Sequence, residues 1–230
     1  MTLQVYYDLL SQPSRAVVLF LKANKIPYED RRINLGKGEH FSEEFSKINP
    51  FQRVPVIVDG DFPLMESIGI LRYLCREKDV PDHWYPKDSK AQAKVDEYLE
   101  WQHLNTRLQC SMYFQCKWLN PMLSGKPPKP DRVKAFEERM VKSLDDMENK
   151  WLKNKPYLAA DHLTIADLFG ACEVEQTRIA GYDPRFGRPK LSAWLDRVRQ
   201  DLLPHYDVVH GPLNKLAAYK GELPSSVSKL

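Results

Sequence analysis

Residues 49–74, NPFQRVPVIVDGDFPLMESIGILRYL, decide how this chain folds. VPVIV (54–58) is a short β-branched run, Asp59-Gly60-Asp61 is a turn signal, and FPLM (62–65) is a second short run. Two such runs about a tight polar turn predict an antiparallel hairpin. Glu66-Ser67 then opens a helical pattern, with Ile68, Leu71 and Leu74 on one face and Ser67 as the expected N-cap. Pro55 has no N–H for a ladder, and a cis Val54–Pro55 bond solves its placement by turning the Val54 N–H and C=O outward. A free strand edge beside a helix N-terminus suits an extended peptide. The edge pairs with the peptide backbone and the helix end holds its carboxylate. An ordinary edge hairpin feeding a core helix satisfies the same letters.

Upstream, residues 4–7 read as a strand and residues 16–21, AVVLFL, as the apolar body of a helix entered through Pro13. The corner between them is Asp8-Leu9-Leu10-Ser11-Gln12-Pro13-Ser14-Arg15, with Ser11 or Gln12 at or near the cap. It holds no cysteine, which excludes dithiol chemistry there. What remains is a serine hydroxyl beside a helix N-terminus, and both favour the thiolate of a thiol docked against them. Lowering a thiol pKa by about two units takes ~2.7 kcal/mol. One charge-assisted hydrogen bond at ~1.5–3 kcal/mol plus the helix end supplies that. Ser11 as a plain helix cap, silent in catalysis, is the alternative.

The chain of 230 residues has room for one large or two small domains, and its 43% apolar and 28% charged content is that of a globular protein. A net charge of +3 without a Lys/Arg run does not point to nucleic acid. No stretch approaches ~18 consecutive apolar residues, so no membrane span is expected, and MTLQVYYDLL lacks the basic start of a secretory signal. Cys75, Cys110, Cys116 and Cys172 show neither C-x-x-C nor disulfide spacing, and the six histidines show no metal-ligand spacing. The expectation is an intracellular protein with reduced thiols and no metal.

Residues 28–33 read as a second strand of a βαβ unit, followed by a loop through Gly36 and His40 and a short helix from Ser42. Residues 77–88, EKDVPDHWYPKD, contain two prolines and no period and mark a domain boundary. Beyond it the pattern is helical. Val95, Leu99, Leu104, Leu108 and Met112 stripe a long amphipathic helix over 91–116, which Asn120-Pro121 and the Lys126-Pro127-Pro128-Lys129-Pro130 loop are expected to end. Phe136, Met140, Leu144, Met147 and Trp151 form the inner face of a helix over 133–152. Thr164 with Asp167 is a capping box, and Leu163 with Leu168 suits a hydrophobic staple. A last helix is expected over 189–203, followed by a short segment over 213–219.

The D-L-x-S-Q-P-S-R corner, Arg53-Val54-Pro55 and Glu66-Ser67, in this order and spacing, resemble the serine-type glutathione transferases of the theta class. The resemblance covers nearly the whole chain. It implies an α/β + all-α fold, with a thioredoxin-like N-terminal domain over 1–78, a linker over 79–88, an all-helical domain with an electrophile pocket over 89–220, and a tail over 221–230. It implies an enzyme of detoxification that takes glutathione as co-substrate and conjugates its thiolate to a small apolar electrophile. The alternatives are a non-catalytic ligand-binding protein of the same fold and a glutathione-dependent peroxidase.

The same resemblance assigns roles residue by residue. Ser11 hydrogen-bonds the glutathione sulfur, and Gln12 joins the glutathione contacts. Val54 pairs with the cysteinyl part, Glu66 and Ser67 hold the γ-glutamyl end, and His40 contacts the glycyl end. Arg53 stands where relatives carry a basic residue, usually lysine, whereas Phe41 departs from a lysine. Arg107 matches an arginine lining the pocket, and Met112, Tyr113 and Trp118 either wall that pocket or pack in the core. A tyrosine-type enzyme using Tyr6 or Tyr7 is the rival, but alternation puts the two on opposite faces, and Ser11 is preferred. The resemblance implies a homodimer, although Leu104 replaces an aspartate that in some relatives reaches the neighbouring subunit's glutathione. The final Ser228-Lys229-Leu230 is a peroxisomal address. The expected location is therefore cytoplasmic with peroxisomal targeting through the import receptor, or cytosolic alone if the match is fortuitous.

Overall fold

A computed structural model describes residues 2–218; Ser228, Lys229 and Leu230, with the address expected of them, lie outside these residues. The N-terminal part runs β1 (Leu3–Tyr7), α1 (Gln12–Ala23), β2 (Tyr28–Arg32), α2 (Glu43–Ile48), β3 (Val56–Asp59), β4 (Phe62–Leu64) and α3 (Ser67–Glu77). The four strands form one sheet in the order β2-β1-β3-β4. β1 is parallel to β2, and both β1–β3 and β3–β4 are antiparallel. This βαβ unit followed by a hairpin and a helix is the expected thioredoxin-like arrangement. Along β1, Leu3, Val5 and Tyr7 point into the core while Gln4 and Tyr6 face outward, as a two-residue period requires. β2, YEDRR, is almost wholly exposed, a charged strand at a sheet edge.

The register brings four segments to one end of the sheet. β1 ends at Tyr7 and runs into Ser11, while β3 begins at Val56, opposite Tyr6, so Val54 adjoins that corner. β4 returns antiparallel and pairs Leu64 with Ile57, which delivers Glu66 and Ser67 to the same end. β2 finishes there too, pairing Arg32 with Tyr7, and leads into two 3-10 turns (Leu35–Lys37 and Glu39–Phe41) that carry His40. The Asp8 carboxylate ties the corner together by accepting from Leu10 N–H at 2.8 Å and from Leu35 N–H at 3.0 Å.

The segment over 77–88 touches both parts, with His83 Nδ1 2.7 Å from Leu163 C=O and Trp84 seated on α1. Trp84 lies edge-on to Phe20, with centroids 5.3 Å apart, and its Nε1–H donates to Asn24 Oδ1 at 2.8 Å. The helical part then begins with α4 (Ser89–Gln102), a π-helical turn (His103–Arg107), α5 (Leu108–Phe114), a second π turn (Gln115–Leu119) and α6 (Asn120–Ser124). These follow one another without a break. After them come α7 (Pro130–Asp146) with a π turn (Met147–Trp151), α8 (Ile165–Gln176) with a 3-10 turn (Thr177–Ala180), α9 (Pro189–Asp201) and α10 (His205–Ala218). No helix among the described residues is long and apolar enough to cross a membrane. α8 is buried along its whole length and forms the axis of the bundle. Its capping box forms as expected, with Asp167 Oδ2 accepting from both Thr164 N–H (2.9 Å) and the Thr164 hydroxyl (3.1 Å).

Four expectations change. Ser67 is the first residue of α3, and its cap is Glu66, whose φ of 64° falls in the left-handed region. The apolar stripe on the long helix fails after Leu99, because Leu104 is 72% and Leu108 39% exposed. The buried line instead continues through Gln102, Thr106, Cys110 and Tyr113. The first π turn shifts the helical phase there, and the true inner face is polar or small, so hydrophobic periodicity followed the wrong side. Of the two expected stops, Asn120-Pro121 does not end the helix, and the loop that opens at Lys126 follows its end. The preceding π turn has already loosened the i→i−4 ladder, and the helix stops four residues later at Gly125, with φ 65°. Finally, α10 starts at His205 and carries Pro212 inside it, so proline there does not delay the helix to Leu213.

Candidate functional site

Ser11 is the N-cap of α1, and its Oγ accepts from Ser14 N–H at 3.4 Å. A hydroxyl has one proton and two lone pairs, so capping leaves the O–H free to donate. The two readings of Ser11 are therefore compatible. Ser11 is 8% exposed, which places its hydroxyl at the surface of a nearly closed corner. The tyrosines beside it are otherwise engaged. Tyr7 is fully buried, burial raises its phenol far above the ordinary range, and the Arg32 guanidinium lies 4.3 Å over its ring. Tyr6 faces the other side of β1 and donates to Gln4 Oε1 at 3.0 Å.

Opposite this corner the Val54–Pro55 bond is cis, and the Val54 N–H and C=O have no partner among the described residues. Next to it α3 begins without any side-chain cap. Its first internal hydrogen bond runs from Ile70 N–H to Glu66 C=O, leaving the Ser67, Ile68 and Gly69 N–H groups without acceptors among the described residues. A helix left open in this way attracts an anion. Glu66 is exposed beside it and Ser67 is 8% exposed. The same end of the sheet thus carries a hydroxyl, an open strand edge and an anion-seeking helix end.

The remaining predicted contacts lie around the rim. Gln12 is half-buried as the first residue of α1, and Arg53 is exposed, with its carbonyl held by Asn49 Nδ2 at 2.7 Å. His40 is half-buried. It packs tilted against Phe41 at 3.8 Å between centroids, and its Nδ1 is buried without a partner among the described residues. Burial lowers its pKa, against the opposing pull of Asp8. His40 is therefore a neutral hydrogen-bonding ring near pH 7, and Arg53 is the cation on this side.

The helical part meets the corner through α8. Arg15, fully buried, donates from Nη1 to Leu9 C=O at 2.9 Å and from Nη2 to Cys172 C=O at 2.9 Å and Gln176 Oε1 at 2.7 Å. Gln176 Nε2 returns a bond to Leu10 C=O at 3.3 Å. Arg107 is neither free nor merely solvated, for its Nη1 donates at 2.9 Å to Glu173, whose side chain is 2% exposed. Met112 and Trp118 are half-buried, whereas Tyr113 is enclosed within the bundle. It accepts from Lys117 Nζ at 2.7 Å and meets Tyr182 edge-on, so it packs and does not line an open wall. Arg15 and Glu173 received no role from the sequence. The signals were an arginine heading the apolar run AVVLFL and a carboxylate inside the buried segment FGACEVEQ.

Two family models match the chain, one described as glutathione S-transferase, N-terminal domain, over residues 1–76, and one as glutathione S-transferase, C-terminal domain, over residues 111–201. Bovine glutathione S-transferase theta-1 is 44% identical over 198 residues, spanning 86% of this chain and 82% of that protein. Human glutathione S-transferase theta-2 is 42% identical over 198 residues, spanning 86% and 81%. The structure of human glutathione-S-transferase T1-1 in its apo form superposes with a TM-score of 0.91 at 40% identity, covering 99% of this chain and 96% of that one. Human glutathione transferase theta-2 in complex with glutathione and an unknown ligand gives 0.89 at 38% identity, covering 94% and 88%.

Proposed function

The chain belongs to the glutathione S-transferase family, in its theta class, and we propose that its catalytic device is the Ser11 hydroxyl at the head of α1. It is a glutathione transferase, joining the glutathione sulfur to electrophilic small molecules. The observation that carries the role of Ser11 is its geometry: the oxygen caps α1 through a lone pair and keeps its proton for a partner. A glutathione backbone pairs with Val54, its γ-glutamyl carboxylate sits at the open N-terminus of α3 beside Glu66 and Ser67, and its sulfur then faces Ser11. His40, Arg53 and Gln12 close the rim. The thiol proton leaves to solvent, the thiolate attacks the electrophilic carbon, the C–S bond forms, and the leaving group departs with its electron pair. No bond to the enzyme is made. The rate gain comes from thiolate stabilisation and positioning.

On the electrophile side, Arg107 and Met112 line the wall and Tyr113 supports it from within. Two copies of the chain pair through an apolar and charged face. It runs from Phe62, whose ring packs tilted against Tyr73, through Arg72 with Asp96 and Glu100, to the exposed Leu104 and Leu108. The test of the Ser11 reading is the ultraviolet band of the thiolate on titrating glutathione into the protein. The band is expected in the wild type and lost in Ser11→Ala at saturating glutathione. An undiminished band in the variant removes Ser11 from the mechanism.

A further inference from the structure

One turn of α8 serves both halves of the site. Cys172 C=O and Gln176 Oε1 hold Arg15, and Gln176 also reaches Leu10, the residue before Ser11. Between them, Glu173 Oε1 accepts from Arg107 Nη1, and Glu173 Oε2 is buried with no partner among the described residues. A carboxylate buried to this degree is expected to collect every donor within reach, yet this one takes a single bond. The Arg107 side chain is 35% exposed, and its remaining N–H groups have no acceptor among the described residues. The acceptors that Arg15 does find are all neutral, three carbonyls and the Gln176 amide oxygen, and its Nε is buried with no partner among the described residues. The charge set at this junction is thus two guanidinium groups and one carboxylate. The carboxylate is spent on the guanidinium that faces the open side.

We propose that Glu173 is a positioning and specificity-setting residue of the transferase reaction: it fixes Arg107 in register with the Ser11 corner and cancels its charge, so that the electrophile side selects uncharged substrates. This rests on the reading of Arg107 as a wall of that site. Without Glu173 the same wall carries an uncompensated cation in a partly desolvated setting, and electrophiles bearing a carboxylate gain from it.

The experiment uses a matched pair of electrophiles with one reactive core, a neutral aryl halide and its carboxylate-bearing analogue, and compares kcat/KM for the two. Glu173→Gln, which keeps an acceptor for Arg107 and removes the charge, is expected to raise the carboxylate-to-neutral ratio about tenfold, chiefly through KM. Arg107→Gln, which leaves the Glu173 charge alone, is expected to lower the ratio below that of the wild type. It keeps the inference testable if Glu173→Gln does not fold. The double variant is expected to return to the wild-type ratio. Ratios that do not move in either single variant overturn the proposal. The glutathione thiolate band, read on the same proteins, separates this from the parent reading. A band present with unmoved ratios sinks the role of Glu173 alone. A wild type without the band sinks the site on which the role is built.

Discussion

Arg15 Nη2 donates at 2.9 Å to the carbonyl of Cys172, a bond between residues 157 positions apart that fastens α1 to α8. With its bonds to Leu9, Leu10 and Gln176, this guanidinium is the polar bolt between the thioredoxin-like part and the helical part. Removing it strands buried acceptors at ~1–3 kcal/mol each. Arg15→Ala is therefore expected to lose about 3–5 kcal/mol of stability in urea unfolding. Arg15→Lys is expected to recover less than half, because an ammonium cannot fork between two elements. A loss under ~1 kcal/mol for the alanine variant would show that the bolt carries nothing.

Binding and chemistry are expected to separate by residue. Ser67→Ala and Glu66→Ala remove contacts at the open end of α3, and each is expected to weaken glutathione binding by about 1–2 kcal/mol in calorimetry while leaving turnover at saturation near the wild type. Ser11→Ala is expected to do the reverse, lowering turnover roughly 10- to 100-fold. Tyr6→Phe and Tyr7→Phe stay close to the wild type, since one side chain faces away and the other is packed under Arg32. If Tyr7→Phe proves the more damaging of the three, the tyrosine replaces the serine as thiolate donor.

What was legible in the letters is what local chemistry encodes. Pro55 after a β-branched residue, Ser11 before a proline-led helix and Thr164 three residues before Asp167 each carry their geometry in two or three side chains, and all three form as read. The long helix was misread because its buried line, Gln102, Thr106 and Cys110, is polar or small, while Leu104 and Leu108 are apolar and exposed. Hydrophobic periodicity reports an apolar face, whether or not that face is buried. Arg15 and Glu173 were missed for another reason. The partners that tie each of them across the fold, Cys172 for Arg15 and Arg107 for Glu173, lie 157 and 66 positions away, and nothing near either residue in sequence announces them.

Gly170 reads as a weak point in a helix, yet the structure requires it. A Cβ built there meets Leu158 Cδ1 at 2.7 Å, the Tyr98 hydroxyl at 2.8 Å and Trp194 Cη2 at 3.2 Å. Alanine gains ~1 kcal/mol of helix propensity over glycine. Overpacking among buried rings costs ~1–3 kcal/mol. The second effect wins, because Tyr98 and Trp194 are fully buried and have nowhere to move. Gly170→Ala is expected to lower Tm by about 2–5 °C. A rise in Tm would mean that α8 can shift along its axis, and the close packing described for it would be wrong.

His210 supplies the acid limb of stability. It is 1% exposed, its Nδ1 lies 3.0 Å from Tyr206 C=O and its Nε2 lies 3.9 Å from Cys172 Sγ. Burial, aided by the nearby Arg15 charge, pushes its pKa down to about 3, against ~6.5 for a free imidazole. The ring is therefore neutral in the fold, and Nδ1 carries the proton given to Tyr206. The neighbouring thiol is pushed up to about 12 by burial, so it stays S–H and can donate to Nε2. Below pH ~6.5 the unfolded chain takes up a proton that the native chain refuses. Stability from this residue is thus complete above that pH and declines as pH falls towards 3, by up to ~1.4 kcal/mol per pH unit. His210→Gln removes the titrating group while keeping an N–H for Tyr206. The stability gap between wild type and variant is expected to narrow by about 2 kcal/mol from pH 7 to pH 5. Unfolding curves measured at both pH values decide it: a gap that stays constant shows that the imidazole does not titrate differently in the two states.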